Sequence, residues 1–240
     1  VAGEMYLPRA EPFLPQQLAR TRKQLADAGL EIACLGSSCR FHNPDEWEAQ
    51  LREGREYLRL AAALDVPYVR VFGDRIPVPA RREETIRRVA DGLRQLAEEG
   101  QSQGVGVLLE AHGDFSRSPV CQAVVVQADH PNVGILWDIH HPYRFFDETI
   151  EASYDCLKGL IRHTHLKDSR RGPDGKPHYC LLGEGDVPVK KAIELLLRDG
   201  YTGWLSFEWE KRWHPEIEPP EVALPQFIER VRSYLAEAED

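Results

Sequence analysis

Short runs of β-branched and apolar residues alternate with longer amphipathic stretches along the whole chain, and this alternation limits the fold more than any other feature. Such a pattern folds as repeated strand–helix units around a parallel sheet, each helix covering the strands it connects. The runs at 30–35, 68–72, 105–110, 133–138, 161–167 and 204–208 read as strands, with a weaker one at 179–182. The stretches at 16–28, 45–64, 83–103, 118–128, 150–157, 189–198 and 224–238 read as helices. Their ends carry matching punctuation. Asn43-Pro44-Asp45-Glu46 offers a capping side chain and an acidic first turn, and Gly29, Gly104 and Gly200 follow helix ends.

Seven strands fall one short of the eight that close a barrel, and the shortfall lies at the amino end, where Val1-Ala2-Gly3-Glu4 offers no clear strand. The expected architecture is an α/β fold, a (β/α)8 TIM barrel whose first strand is missing or truncated, with Val1 at most its tail. An open doubly wound sheet is the alternative, although acidic residues at several strand ends fit a barrel better. No Pro-, Ser- or Gly-rich linker divides the 240 residues, so one domain over residues 1–240 is expected.

Composition excludes some functions. A formal net charge of −9 disfavours a nucleic-acid surface, which needs clustered Lys and Arg. No apolar run approaches the roughly 20 residues of a membrane span, so no membrane role is expected. The five cysteines, Cys34, Cys39, Cys121, Cys156 and Cys180, lack zinc-finger or C-x-x-C spacing and read as reduced thiols. With no signal-like opening, a cytoplasmic protein is expected.

The chemistry lies in where ionisable residues meet the apolar runs: Leu108-Leu109-Glu110, Ile135-Leu136-Trp137-Asp138, His163-Thr164-His165 and Leu205-Ser206-Phe207-Glu208. In a barrel all carboxyl ends of the strands open on one face, so these side chains converge. A charge there is costly unless paired or metal-bound. Taken singly, each carboxylate could equally cap a helix or pair with an arginine; together, three carboxylates and an imidazole form a ligand set for one divalent ion, manganese, magnesium, cobalt or zinc. His163 and His165, two apart, share a strand face, which makes His165 the ligand and His163 a core or supporting residue. Arg70, a charge inside Val69-Arg70-Val71-Phe72, needs a partner such as a site carboxylate.

At these residues the chain resembles the sugar phosphate isomerase/epimerase family with the xylose isomerase-like TIM barrel. The matching pieces are Leu109-Glu110, Trp137-Asp138-Ile139-His140-His141, His165-Leu166-Lys167-Asp168, Gly183-Glu184-Gly185-Asp186 and Leu205-Ser206-Phe207-Glu208, in family order over about the last three quarters of the chain. The resemblance implies a metal on Glu110, Asp138, His165 and Glu208, and substrate contacts at His141 and Arg171. Lys167 offers a cation for an oxyanion or phosphate, with Asp168 as its salt-bridge partner or a cap. Glu184 could contact a hydroxyl from a loop at the same mouth, and Trp209 could wall the pocket, with Trp213 left open. His140 should point away from His141 if the strand continues.

The expected activity is metal-dependent isomerisation or epimerisation of a sugar or sugar phosphate through an enediolate, with Glu110 and Glu208 as base and acid on its two faces. The rivals are a metal-dependent dehydratase of a keto-cyclitol or dehydroshikimate-like substrate, an apurinic endonuclease, which the acidic balance disfavours, and a non-catalytic sugar-binding barrel. The expected partner is a small sugar-like molecule; a homodimer is left open, since such barrels often pair.

Overall fold

The computed structural model describes residues 5–239. Val1-Ala2-Gly3-Glu4, to which the expectation of a truncated first strand was attached, lies outside the described residues. From the amino end run α1 (Leu18–Asp27), β1 (Leu35–Arg40), α2 (Trp47–Ala63), β2 (Tyr68–Phe72), α3 (Arg82–Gln101) and β3 (Gly106–Glu110). There follow α4 (Ser118–Ala128), β4 (Val133–Asp138), α5 (His140–Phe146), α6 (Ile150–Leu157) and β5 (Ile161–Leu166). The chain continues through β6 (Asp168–Arg171), β7 (Pro177–Cys180), α7 (Val189–Arg198), β8 (Leu205–Phe207) and α8 (Pro220–Glu239).

Six strands form one parallel sheet in the order β1-β2-β3-β4-β5-β8, wrapped by the connecting helices as in an incomplete (β/α) barrel. The central strands are free of polar side chains up to their last residues, Glu110 and Asp138, because both their faces are covered: every residue of β3 and β4 is buried. The edge strand β1 instead alternates, with Leu35, Ser37 and Cys39 buried and Gly36, Ser38 and Arg40 exposed. Trp137, wholly buried on β4, satisfies its indole by donating to Ser153 Oγ at 2.9 Å.

Two strand expectations need correction. The run at 30–35 is not the first strand: pairing starts only at Leu35, opposite Val69, and Leu30 is exposed. The strand continues instead through the more polar Gly36 to Arg40, because only there does β2 offer backbone partners. The weak strand at 179–182 does not join the sheet. Pro177–Cys180 pairs antiparallel with Asp168–Arg171 as a hairpin over the carboxyl end of the sheet, and β5 pairs directly with β8. Among the described residues the main sheet is therefore two strands short of eight, not one.

All five cysteines are free, and burial pushes the thiols of Cys34 and Cys39 up to about 12. Among the described residues no helix is long and apolar enough to cross a membrane.

Candidate active site

The register of the sheet brings the ionisable strand ends level. Glu110 closes β3, Asp138 closes β4 directly opposite His165 on β5, and Glu208 follows Phe207, which pairs with Leu166. One ligand atom each from Glu110, Asp138, His165 and Glu208 lies within 4.8 Å of the others. His165 Nδ1 stands at the middle, 3.4 Å from Oε1 of both Glu110 and Glu208, close enough for charge attraction but outside hydrogen-bond geometry.

The far oxygens of the two glutamates are held by fixed cations. Arg70 Nε lies 2.9 Å from Glu110 Oε2, and its Nη1 donates to the Ser37 carbonyl, so the arginine in β2 has the carboxylate partner its sequence position demanded. Lys167 Nζ contacts Glu208 Oε2 and lies 2.8 Å from both Asp138 Oδ2 and Glu210 Oε1. Burial opposes ionisation of Glu110 and Glu208, but Arg70 for the first and Lys167 for the second, with His165 beside both, hold these carboxyls below their usual range. Burial lifts Asp138 to about 7 against the pull of Lys167. Burial also disfavours the His165 cation, yet Glu110 and Glu208 outweigh it and raise the imidazole to about 10. Without a metal, the carboxylates thus recruit a proton onto the atom that faces their centre.

The donor set fits a divalent ion. Glu110 Oε2 and Asp138 Oδ2 are ion-paired with Arg70 and Lys167, but His165 Nδ1, between the two glutamates, is buried without a hydrogen-bond partner, a state tolerated mainly where another group, such as a cation, completes the site. Three carboxylate ligands and an imidazole suit magnesium, manganese, cobalt or zinc, with room for substrate oxygens.

The other expected residues are dispersed. His141 joins the cluster: it is buried, with Nε2 at 3.3 Å from Asp138 Oδ2 and 3.2 Å from Lys167 Nζ. It sits not on a continuing strand but in α5, so the strand alternation expected for His140 and His141 does not apply. His140 turns to Ser169 Oγ at 2.8 Å. His163 lies beneath His165, paired with Ser206 Oγ at 3.1 Å. Asp168 is not the partner of Lys167; its carboxylate accepts backbone N–H groups from Ser169, Gly183, Gly185 and Val187 and so ties down the loop after β7.

Arg171 is half-exposed and paired with Asp147 at 2.9 Å. Glu184 is exposed on the loop that Asp168 tethers. Trp209 stacks on Phe207 and donates to the Glu218 carbonyl, while Trp213 is exposed. Glu210 and His112 escaped the sequence reading: Glu210 binds Lys167, and the His112 ring packs between Phe72 and His141. The Glu208-Trp209-Glu210 spacing was the available signal for the first. Two cavities of about 630 and 690 Å3, sharing Trp204, lie at the opposite end where strands begin. They contain none of these groups, so the chemistry points to the carboxyl-end cluster instead.

Comparison with known proteins bears on the family and the fold. A family described as the xylose isomerase-like TIM barrel matches residues 2–234. Fructoselysine 3-epimerase of Escherichia coli O157:H7 is 28% identical over 157 residues, 63% of this chain and 54% of the relative. Inosose dehydratase of Serratia proteamaculans (strain 568) is 27% identical over 180 residues, 66% of this chain and 57% of the relative. The chain thus spans a little over half the length of these curated relatives. A solved xylose isomerase domain protein from Planctomyces limnophilus shares the fold, with a TM-score of 0.79 over 97% of this chain and 87% of that one at 17% identity.

Proposed function

Because the chain belongs to the xylose isomerase-like TIM barrel family, we propose that it is a metal-dependent isomerase or epimerase of sugars or sugar phosphates, acting as one domain. The observation that carries this reading is the meeting of Glu110, Asp138, His165 and Glu208 at one point. These four would hold the ion, whose charge stabilises the negative charge that develops on the carbonyl and adjacent hydroxyl oxygens of a bound sugar.

Glu110 and Glu208 stand on β3 and beyond β8, on either side of the two strands that carry Asp138 and His165. Each is tethered by a cation at Oε2, which leaves Oε1 facing the centre. Oε1 of one glutamate takes the carbon-bound proton beside the carbonyl, leaving an enediolate, and Oε1 of the other returns a proton. Return to the opposite face of the same carbon is epimerisation, and return to the neighbouring carbon is isomerisation. In this reading His141, beside Asp138, binds a substrate hydroxyl, Trp209 forms a wall, and Arg171 and Glu184 contact the far end of the sugar. Lys167 acts from beneath, through Glu208 and Asp138. Likeness to inosose dehydratase supports a second reading, in which the same proton abstraction is followed by loss of a hydroxyl.

The test is proton exchange. The manganese-loaded protein is incubated in deuterated water with a panel of free and phosphorylated ketoses and a keto-cyclitol, followed by NMR. Exchange of the proton beside the carbonyl, lost in Glu110→Gln and Glu208→Gln, is the expected result; an unsaturated product identifies a dehydratase. Binding without exchange across the panel indicates a sugar-binding barrel and overturns the proposal.

A further inference from the structure

Lys167 is among the largest wholly buried side chains of the protein, although lysine is almost never fully buried without partners. Its ammonium has a cage of its own. Nζ touches Glu208 Oε2 and lies 2.8 Å from Asp138 Oδ2, 2.8 Å from Glu210 Oε1 and 3.2 Å from His141 Nε2. Three carboxylates and one imidazole are the same donor types as the set formed by Glu110, Asp138, His165 and Glu208. Two of the residues, Asp138 and Glu208, belong to both sets. Carboxylates shared between two adjacent cation cages are the arrangement of a two-metal centre, in which the ions stand roughly 3.5–4 Å apart.

We propose that the Lys167 ammonium is a built-in second cation, occupying a cage that would otherwise bind another metal ion and so restricting the centre to one. This rests on the metal-site reading above. The charges are consistent with it. Glu110, Asp138, Glu208 and Glu210 face two fixed cations, Arg70 and Lys167, so with His165 neutral a single divalent ion cancels the remainder. Removing the ammonium leaves an excess negative charge at buried oxygens, which a second ion relieves. The cage can contract to metal–oxygen distances because Glu208 and Glu210, its outer walls, keep 26% and 21% side-chain exposure. Lys167 is in this sense a positioning residue: it fixes Asp138 and Glu208 toward the metal while excluding a second ion from their other side.

The experiment counts metal. Wild type, Lys167→Ser and Lys167→Asn are loaded with excess manganese, freed of unbound ion by gel filtration and assayed for metal per chain, with electron paramagnetic resonance to detect coupled pairs. Asn is included because its amide can hydrogen-bond the stranded carboxylates, and both variants are purified in manganese throughout so that loss of the buried cation does not unfold them. One ion in wild type and two coupled ions in the variants is the expected result. Two ions in wild type overturn the inference, as do variants holding one or none while wild type holds one. No ion in wild type instead defeats the metal-site reading itself.

Discussion

Replacing Arg70 by methionine tests whether the strand-end carboxylates depend on opposite charge for their burial. Arg70 and Glu110 are 16% and 2% exposed, and Nε lies 2.9 Å from Oε2, so water cannot replace the guanidinium at that oxygen. Stripping one partner from a buried pair costs about 3–5 kcal/mol, because the other charge is left stranded. Protonated His165, near the opposite oxygen, offsets part of this and favours the lower end. Methionine preserves the apolar contact with Phe72, over whose ring the guanidinium carbon sits at 3.9 Å. It loses the bond to the Ser37 carbonyl, worth about 1 kcal/mol. For a chain of this size each kcal/mol is worth roughly 2–4 °C, so a total loss of about 4 kcal/mol should lower the melting temperature in chelator by about 8–16 °C. Thermal unfolding followed by circular dichroism, with chelator and then with saturating manganese, measures it. The drop should shrink with metal, and adding Glu110→Gln to Arg70→Met should restore much of the loss. A variant melting within about 2 °C of wild type in chelator, or a double variant no more stable than the single, would refute the charge argument.

Glu110→Gln and Glu208→Gln, which keep side-chain volume but remove the proton acceptor, should each lower kcat at least about 100-fold with little change in circular dichroism. Uptake of manganese at pH 8 should release a proton, since His165 Nδ1 holds one up to about 10 in the metal-free protein; a pH-indicator titration in weak buffer reads it, and no release means that Nδ1 is not a ligand. His163 should lose its contribution to stability in acid, while Asp138, lifted to about 7, adds stability over the same range. Burial, then His165, lowers His163 to about 4, so the unfolded chain takes up its proton near pH 6.5 and the folded one does not until about 4. The stability present above 6.5 is lost across that window, up to about 3 kcal/mol for this group, so the margin of wild type over His163→Gln in denaturant titrations should shrink from pH 7 to 4.5. Asp168→Ala strips the acceptor from four backbone N–H groups; the amides of Gly183, Gly185 and Val187 should lose hydrogen-exchange protection, while β3 and β4 keep theirs.

Glu110, Asp138, His165 and Glu208 were legible in the sequence because each breaks an apolar run at the end where a parallel sheet opens, and the register then makes them neighbours. Arg70 was legible by the same logic of a charge that needs a partner. What periodicity could not supply was pairing. Ile32-Ala33-Cys34 is as apolar as a strand but lies beyond the reach of β2, whereas polar Gly36-Ser37-Ser38 lies within it. Tyr179 and its neighbours resemble a strand and are one, but their partner is Ser169 rather than the sheet. Lys167 shows the limit for side chains: its sequence neighbour Asp168 was the natural partner, yet Lys167 sits in the link between β5 and β6 and the two side chains find different partners. The ammonium meets Asp138, Glu208 and Glu210 from other segments, while Asp168 serves backbone amides.

Among the described residues Glu110, Asp138 and His165 stand on strands flanked on both sides, whereas Glu208 follows β8, which pairs with β5 alone. Three of the gathered side chains therefore form a rigid anvil, and the fourth hangs from a one-sided hinge. A small excursion of that border strand would shift one glutamate while the other three side chains stay in place, so the cluster opens most easily at that corner.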